Sequence, residues 1–151
     1  MTRQLHLQAR LWEVPPKTFP QTVALMLRKR SVLIVEDEGD LRVILAAMLV
    51  QTGYDVRTAW DGVSALLEME TGLPDIIVSD LNMPRMSGFE LLSIVRAEFP
   101  LIPLIAMSGA FSGTRVPEGV VADAFYEKGT HPVFLARLVS AMTRRRVSSQ
   151  A

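Results

Sequence analysis

The chain has 151 residues, a length at which one domain is expected and its own core can form. Hydrophobic residues are 49% of it and charged residues 21%, which excludes a disordered or fibrous chain, and the lack of cysteine excludes disulfides and thiolate metal sites. Formal charge sums to zero but is segregated, +5 over residues 1–30 and −8 over residues 31–143 before Arg144, Arg145 and Arg146, and such an acidic middle excludes a nucleic-acid-binding core.

In chain order, Pro15, Pro16 and Pro20 break up the start, so residues 1–30 are expected to be a basic extension with at most a short helix over 21–30. Its apolar run from Val23 to Leu27 is far shorter than the ~20 residues of a membrane span. The basic cluster follows that run instead of preceding it, unlike a signal peptide. A cytoplasmic chain without membrane contact is therefore expected.

From Ser31 onward strand and helix patterns alternate, the signature of a mostly parallel sheet. Strands are predicted at 31–36, 54–59, 75–80, 103–107 and 124–127. The unbroken apolar run of the first suits a strand covered on both faces. Helices are predicted at 40–52, at 61–70 with Asp61 as cap and Trp60 packing beside it, and at 87–99, where Pro100 ends the helix. Three glycines and a proline between Gly109 and Gly119 argue against an amphipathic helix there, leaving a loop with one or two turns near 117–122. A last helix begins at His131-Pro132 and carries Phe134, Leu135, Leu138, Val139 and Met142. It leads into a basic tail at 144–151.

Four of these strands end on residues able to handle phosphate or metal: Glu36-Asp37, Asp80, Ser108 and Lys128. In an open parallel sheet the carboxyl edge is where ligands bind. Three carboxylates gathered there repel one another, by ~4 kcal/mol per pair at ~4 Å and an effective dielectric near 20, so the cluster needs a cation or shifted pKa values. Oxygen-only ligands that retain water suit magnesium. Lys128 would add a compact positive charge for a phosphoryl group and Ser108 a hydroxyl. A carboxylate held in this way can attack phosphorus and form an aspartyl phosphate. His6 and His131 lie far apart and do not suggest a zinc pair.

The segment Val35-Glu36-Asp37-Glu38, then Asp80-Leu81-Asn82-Met83-Pro84 with Ser87-Gly88-Phe89-Glu90-Leu91-Leu92, then Ser108 and Lys128 closely resembles the receiver domain of two-component response regulators over residues 31–143. The resemblance implies a flavodoxin-like α/β fold, a doubly wound five-stranded parallel sheet with helices on both faces and, in this chain, a fourth helix that is short or missing. It implies that Asp80 accepts phosphate from a histidine kinase or histidine phosphotransfer protein. Magnesium would be held by Asp37, Asp80 and the main-chain carbonyl of Asn82, with Glu36 acting through water. Lys128 and Ser108 would contact the phosphoryl group, and Phe125 would be the switch aromatic. Met83-Pro84 and Gly88 are expected to shape the loop after Asp80.

Two departures stand out. The family usually has proline, joined by a cis peptide, after the lysine, whereas Gly129 stands here. The Ser108 to Lys128 distance is about two residues short and lacks the helix that in the family forms part of a common output surface. A stand-alone receiver without conventional enzyme activity is expected, signalling through a downstream protein partner without direct nucleic-acid contact. The alternative is a degenerate receiver acting as a constitutive interaction module. A haloacid-dehalogenase-like phosphatase also uses an aspartyl nucleophile, but needs a second aspartate where Asn82 stands.

Overall fold

The computed structural model describes residues 20–148, with side chains to Arg144; the extension before Pro20 and the end of the tail lie outside the described residues. The elements are α1 (Gln21–Leu27), β1 (Ser31–Val35), α2 (Gly39–Gln51), β2 (Asp55–Ala59), α3 (Gly62–Glu70), β3 (Ile76–Asp80), α4 (Gly88–Glu98), β4 (Leu104–Ser108), β5 (Ala124–Glu127) and α5 (Val133–Ser148). All five strands are parallel, in the order β2-β1-β3-β4-β5. This is the flavodoxin-like arrangement expected from the sequence, with no helix between β4 and β5. Every residue of β1, β3 and β4 is buried, as unbroken apolar runs require when helices cover both faces.

Alternation along the strands divides the core into two layers. Leu33, Val35, Ile77, Ala106 and Phe125 point to the face covered by α3 and α4. Val32, Ile34, Val78, Met107 and Tyr126 point to the face covered by α2 and α5. Each fully buried large aliphatic side chain contributes ~1.5–3 kcal/mol of hydrophobic stabilisation. On the face covered by α3 and α4, the stretch between β4 and β5 adds Val116, Val120 and Ala122, all partly buried. One tight turn, in which Val120 N–H donates to the Pro117 carbonyl at 3.1 Å, stands where turns were expected.

Asp61 caps α3 as predicted: Ser64 N–H donates to its Oδ1 at 2.7 Å and the Ser64 hydroxyl accepts from Asp61 N–H at 3.1 Å. Trp60 does not pack as expected but is 55% exposed, because it precedes the helix on the solvent side of that cap. The short helix predicted after Pro20 is present as α1 and buries none of its residues. The extension is nevertheless tied to the domain, since the Arg28 guanidinium donates to both oxygens of Asp75 at 2.8 and 3.1 Å. Asp75 also accepts from Ser31 N–H at 2.8 Å, which fixes the start of β1 against β3. Among the described residues no helix is long and apolar enough to cross a membrane.

Candidate functional site

Chain order reverses between β1 and β3, so their connections leave in opposite directions and a crevice opens at their carboxyl ends. Register fills that crevice. Val35 pairs with Ser79, so Glu36 and Asp80, one step further on, emerge side by side. Asp80 is opposite Met107 and Ser108 opposite Glu127, which brings Ser108 and Lys128 to the same edge.

Oxygens of Glu36, Asp37 and Asp80 lie within 4.8 Å of one another. Glu36 and Asp80 are buried and Asp37 is exposed. Lys128 closes the group from the far side, its Nζ 2.8 Å from Glu36 Oε2 and 2.8 Å from Asp80 Oδ2. The remaining oxygens are held from the backbone: Glu38 N–H donates to Glu36 Oε1 at 3.1 Å and Asn82 N–H to Asp80 Oδ1 at 3.2 Å. The Asn82 side-chain amide donates to Ser108 Oγ at 3.4 Å, while Ser108 Oγ also accepts from Ala110 N–H at 3.0 Å. A ligand at this edge thus meets one exposed carboxylate, two buried ones, an ammonium and a hydroxyl.

Burial pushes the Glu36 carboxyl up to about 7, with the Asp80 charge adding to the rise and the Lys128 hydrogen bond opposing it. The Lys128 ammonium is desolvated, which alone would lower it, but hydrogen bonds to Asp80 and Glu36 outweigh that and hold it above its ordinary value. The charge that stabilises this site is thus the lysine's. A divalent cation bound to the three carboxylates would relieve the same repulsion, and the all-oxygen donor set fits magnesium.

Gly129 takes φ +90°, a conformation closed to proline, and no cis peptide is present among the described residues. The trans route still brings Lys128 to both acids. The Lys128 N–H donates to the Ser108 carbonyl at 3.0 Å, so β4 sets the height from which the side chain reaches back. Phe125, 2% exposed, meets Phe111 of the β4–β5 loop edge to face, with centroids 6.5 Å apart.

Three supporting features complete the site; the sequence singles out Gly88, as shaping the loop after Asp80, but neither Arg42 nor Arg85. Arg42 donates to the Glu36 carbonyl at 2.7 Å and anchors the turn between β1 and α2. Its place one helical turn inside α2 was an available signal. Gly88 sits so close to β3 that a Cβ would lie 1.9 Å from the Asp80 carbonyl oxygen. Arg85, in the left-handed region at φ 64°, pairs with buried Asp61 at 2.6 Å and joins the loop after Asp80 to the cap of α3. The Ser64 backbone hydrogen bond and, secondarily, Arg85 hold the Asp61 carboxyl below its usual range.

This fold and this edge are those of a receiver, and residues 32–126 match the model of the response regulator receiver domain; the chain belongs to that family. It is 34% identical over 119 residues to the alkaline phosphatase synthesis transcriptional regulatory protein PhoP of Bacillus subtilis, covering 77% of this chain and 49% of that one. It is 35% identical over 121 residues to the transcriptional regulatory protein PrrA of Mycobacterium tuberculosis, covering 78% and 52%. The chain thus spans about half the length of these two relatives. Among solved structures it resembles the chemotaxis response regulator CheY4 of Vibrio cholerae, with a TM-score of 0.68, 30% identity, and 76% and 99% coverage. It also resembles one chain of the structure of histidine kinase ThkA in complex with response regulator protein TrrA, with a TM-score of 0.68, 28% identity, and 75% and 97% coverage.

Proposed function

We propose that the chain is a phosphoacceptor receiver in a two-component phosphorelay, in which the Asp80 carboxylate takes a phosphoryl group from a phosphohistidine. The observation that carries this reading is the double contact of Lys128, 2.8 Å from both Asp80 and Glu36 despite Gly129 beside it. A degenerate interaction module has no need of an ammonium held between two buried acids at the mouth of the switch point.

In the transfer, an Asp80 oxygen forms a bond to phosphorus as the phosphorus–nitrogen bond of the donor imidazole breaks and its electron pair returns to nitrogen. Asp37 and Asp80, with the Asn82 main-chain carbonyl, would hold magnesium and Glu36 would act through water; the ion supplies charge neutralisation for the phosphoryl oxygens. Lys128 leaves its ion pairs to contact one phosphoryl oxygen, and Ser108 turns from Ala110 N–H to donate to another. The aspartyl phosphate is a product held on the protein, so this is self-modification and not turnover of a substrate. The donor is a histidine kinase or histidine phosphotransfer protein, a reading supported by the likeness to TrrA, which was solved with the histidine kinase ThkA.

Acetyl phosphate with magnesium tests the reading. Mass spectrometry should show one added phosphoryl group in the wild type and none in Asp80→Asn. Undiminished labelling of that variant would reject Asp80, and no labelling of the wild type with magnesium present would favour the degenerate module.

A further inference from the structure

The loop after Asp80 is fastened to the start of α3. Asp61 is 1% exposed, and capping the helix uses one of its oxygens, Oδ1. The other, Oδ2, takes the Arg85 guanidinium at 2.6 Å. One residue further along each segment the backbones meet, with Gly62 N–H donating to the Met86 carbonyl at 3.3 Å. The Met86 side chain lies against Gly62, where a Cβ would stand 2.5 Å from its Cγ. The loop is closed at its base by Gly88 N–H on the Leu81 carbonyl at 3.0 Å. Asn82 lies between these anchors. It touches the site twice, donating from its N–H to Asp80 Oδ1 at 3.2 Å and from its side-chain amide to Ser108 Oγ at 3.4 Å.

We propose that Asp61 and Arg85 are positioning residues for the acceptor site: their ion pair latches the loop so that Asn82 is held against Asp80, with its main-chain carbonyl in place for the cation. Backbone strain sets this pair apart from an ordinary surface bridge. Arg85 stands at φ 64°, where a side chain is costly and glycine is free. An ion pair whose arginine side chain is 66% exposed returns little stability, too little to account for arginine at such a position. What arginine has and glycine lacks is reach: three residues past Asn82, it crosses to the cap of another helix and holds a buried carboxylate. Nor does capping account for Asp61. Asparagine and serine cap a helix as well as aspartate does, but only a carboxylate leaves a second charged oxygen for the guanidinium.

Charge alone predicts the opposite of a latch. Arg85 has the same sign of charge as magnesium, so in a rigid loop its removal lowers repulsion and tightens binding of the ion. With a latch, its removal frees the loop, and binding weakens in proportion to the time that Asn82 spends out of place. As far as magnesium is concerned the inference rests on the phosphoacceptor reading, whereas the hold on Asn82 is a property of the chain without the ion.

The test uses the full chain, labelled with nitrogen-15 and observed by nuclear magnetic resonance. Without metal, hydrogen exchange of the Asn82 amide should quicken severalfold in Arg85→Gly and in Asp61→Asn, the second of which keeps a capping oxygen. Magnesium, titrated on the amide resonances, should bind about tenfold more weakly to each variant. The double variant should bind it no more weakly than the weaker single variant, because one latch can be broken only once. The Tm of Arg85→Gly should stay within a few degrees of wild type, since glycine relieves the strained backbone as the ion pair is lost. Wild-type or tighter magnesium binding by Arg85→Gly would overturn the proposal, and so would effects that multiply to about 100-fold in the double variant. A fall in Tm with faster exchange across the whole domain would also overturn it, since the pair would then be general support for the fold. If acetyl phosphate leaves Asp80 of the wild type unlabelled while Asn82 exchange still responds to both variants, the latch stands and the phosphoacceptor reading falls.

Discussion

Replacing Gly88 by alanine should damage the acceptor site from behind. Gly88 is the first residue of α4, and its N–H donates to the Leu81 carbonyl at 3.0 Å, so the helix start rests directly on the end of β3. A Cβ there would lie 1.9 Å from the Asp80 carbonyl oxygen, 2.7 Å from the Asp80 carbonyl carbon and 2.8 Å from Leu81 Cα, all backbone atoms. None of these can swing aside as a side chain can. Non-bonded carbon contacts are comfortable at ~3.5 Å, so more than an ångström of backbone displacement is needed. Overpacking costs ~1–3 kcal/mol, and a backbone clash belongs at or above the upper end. For a domain near this size that is a fall in Tm of ~10 °C. The displaced residue is the proposed nucleophile, and misplacing a reacting group by ~1 Å can cost ~100-fold in rate. Gly62→Ala is the milder comparison: the three atoms nearest its Cβ are Met86 Cγ, Sδ and Cβ, at 2.5, 2.6 and 2.8 Å, of which the first two can rotate away with the side chain and the third needs a shift of the loop that carries Met86. Thermal unfolding and the rate of acetyl phosphate labelling should both rank wild type, Gly62→Ala, Gly88→Ala. A Gly88→Ala protein with wild-type Tm and labelling, or two variants of equal effect, would refute the packing argument.

Stability without magnesium should depend on Glu36. Its folded value of about 7 is above the ordinary 4.5, so the folded state binds the proton more tightly than the unfolded state. The resulting stabilisation is fully present below pH ~4.5 and is lost as pH rises through ~7, on the order of 3 kcal/mol at ~1.4 kcal/mol per pKa unit. Urea unfolding should show that decline in the wild type and a flatter profile in Glu36→Gln, and identical profiles would discount the shift. Lys128→Met should leave two buried acids without their cation and cost ~3–5 kcal/mol at pH 8, much less at pH 5, when measured by the same titration. Removal of residues 1–27 should leave Tm within a few degrees, because the alternating strand and helix pattern begins at Ser31 and α1, the described helix of that stretch, buries nothing, whereas Asp75→Ala should cost ~2 kcal/mol by stranding the buried Ser31 N–H. Hydrogen exchange over residues 109–123 should be fast and should slow with beryllofluoride and magnesium; exchange that stays unchanged with the mimic bound would reject a switch through the β4–β5 loop.

Apolar runs, alternating patterns and glycine or proline stops were enough to read five strands, the helices that flank them and the loop in place of a helix. They suffice because burial on both faces leaves a parallel strand no choice of composition. The gathering of the candidate site was legible for a related reason: Glu36, Asp37, Asp80, Ser108 and Lys128 each stand at or just past a strand end, and parallel topology carries all such ends to one edge. Sequence could not say which turn conformation Lys128-Gly129 adopts, since glycine is free to take either the left-handed backbone seen here or an ordinary one, and only the packing of β5 and α5 selects between them. Nor could it show that Phe134 faces out. Helical spacing places Phe134, Leu135 and Leu138 alike, and only the bare edge of β5 leaves the first of them half exposed. Arg28 with Asp75, Arg85 with Asp61 and Phe111 with Phe125 are contacts between segments far apart or separated by a loop, fixed by how elements pack and not by any local pattern. Pattern and periodicity determine the layers and which side chains reach their edge; distance in space, which no periodicity encodes, decides which charges pair, how closely α4 presses on Asp80, and where the sheet is left open.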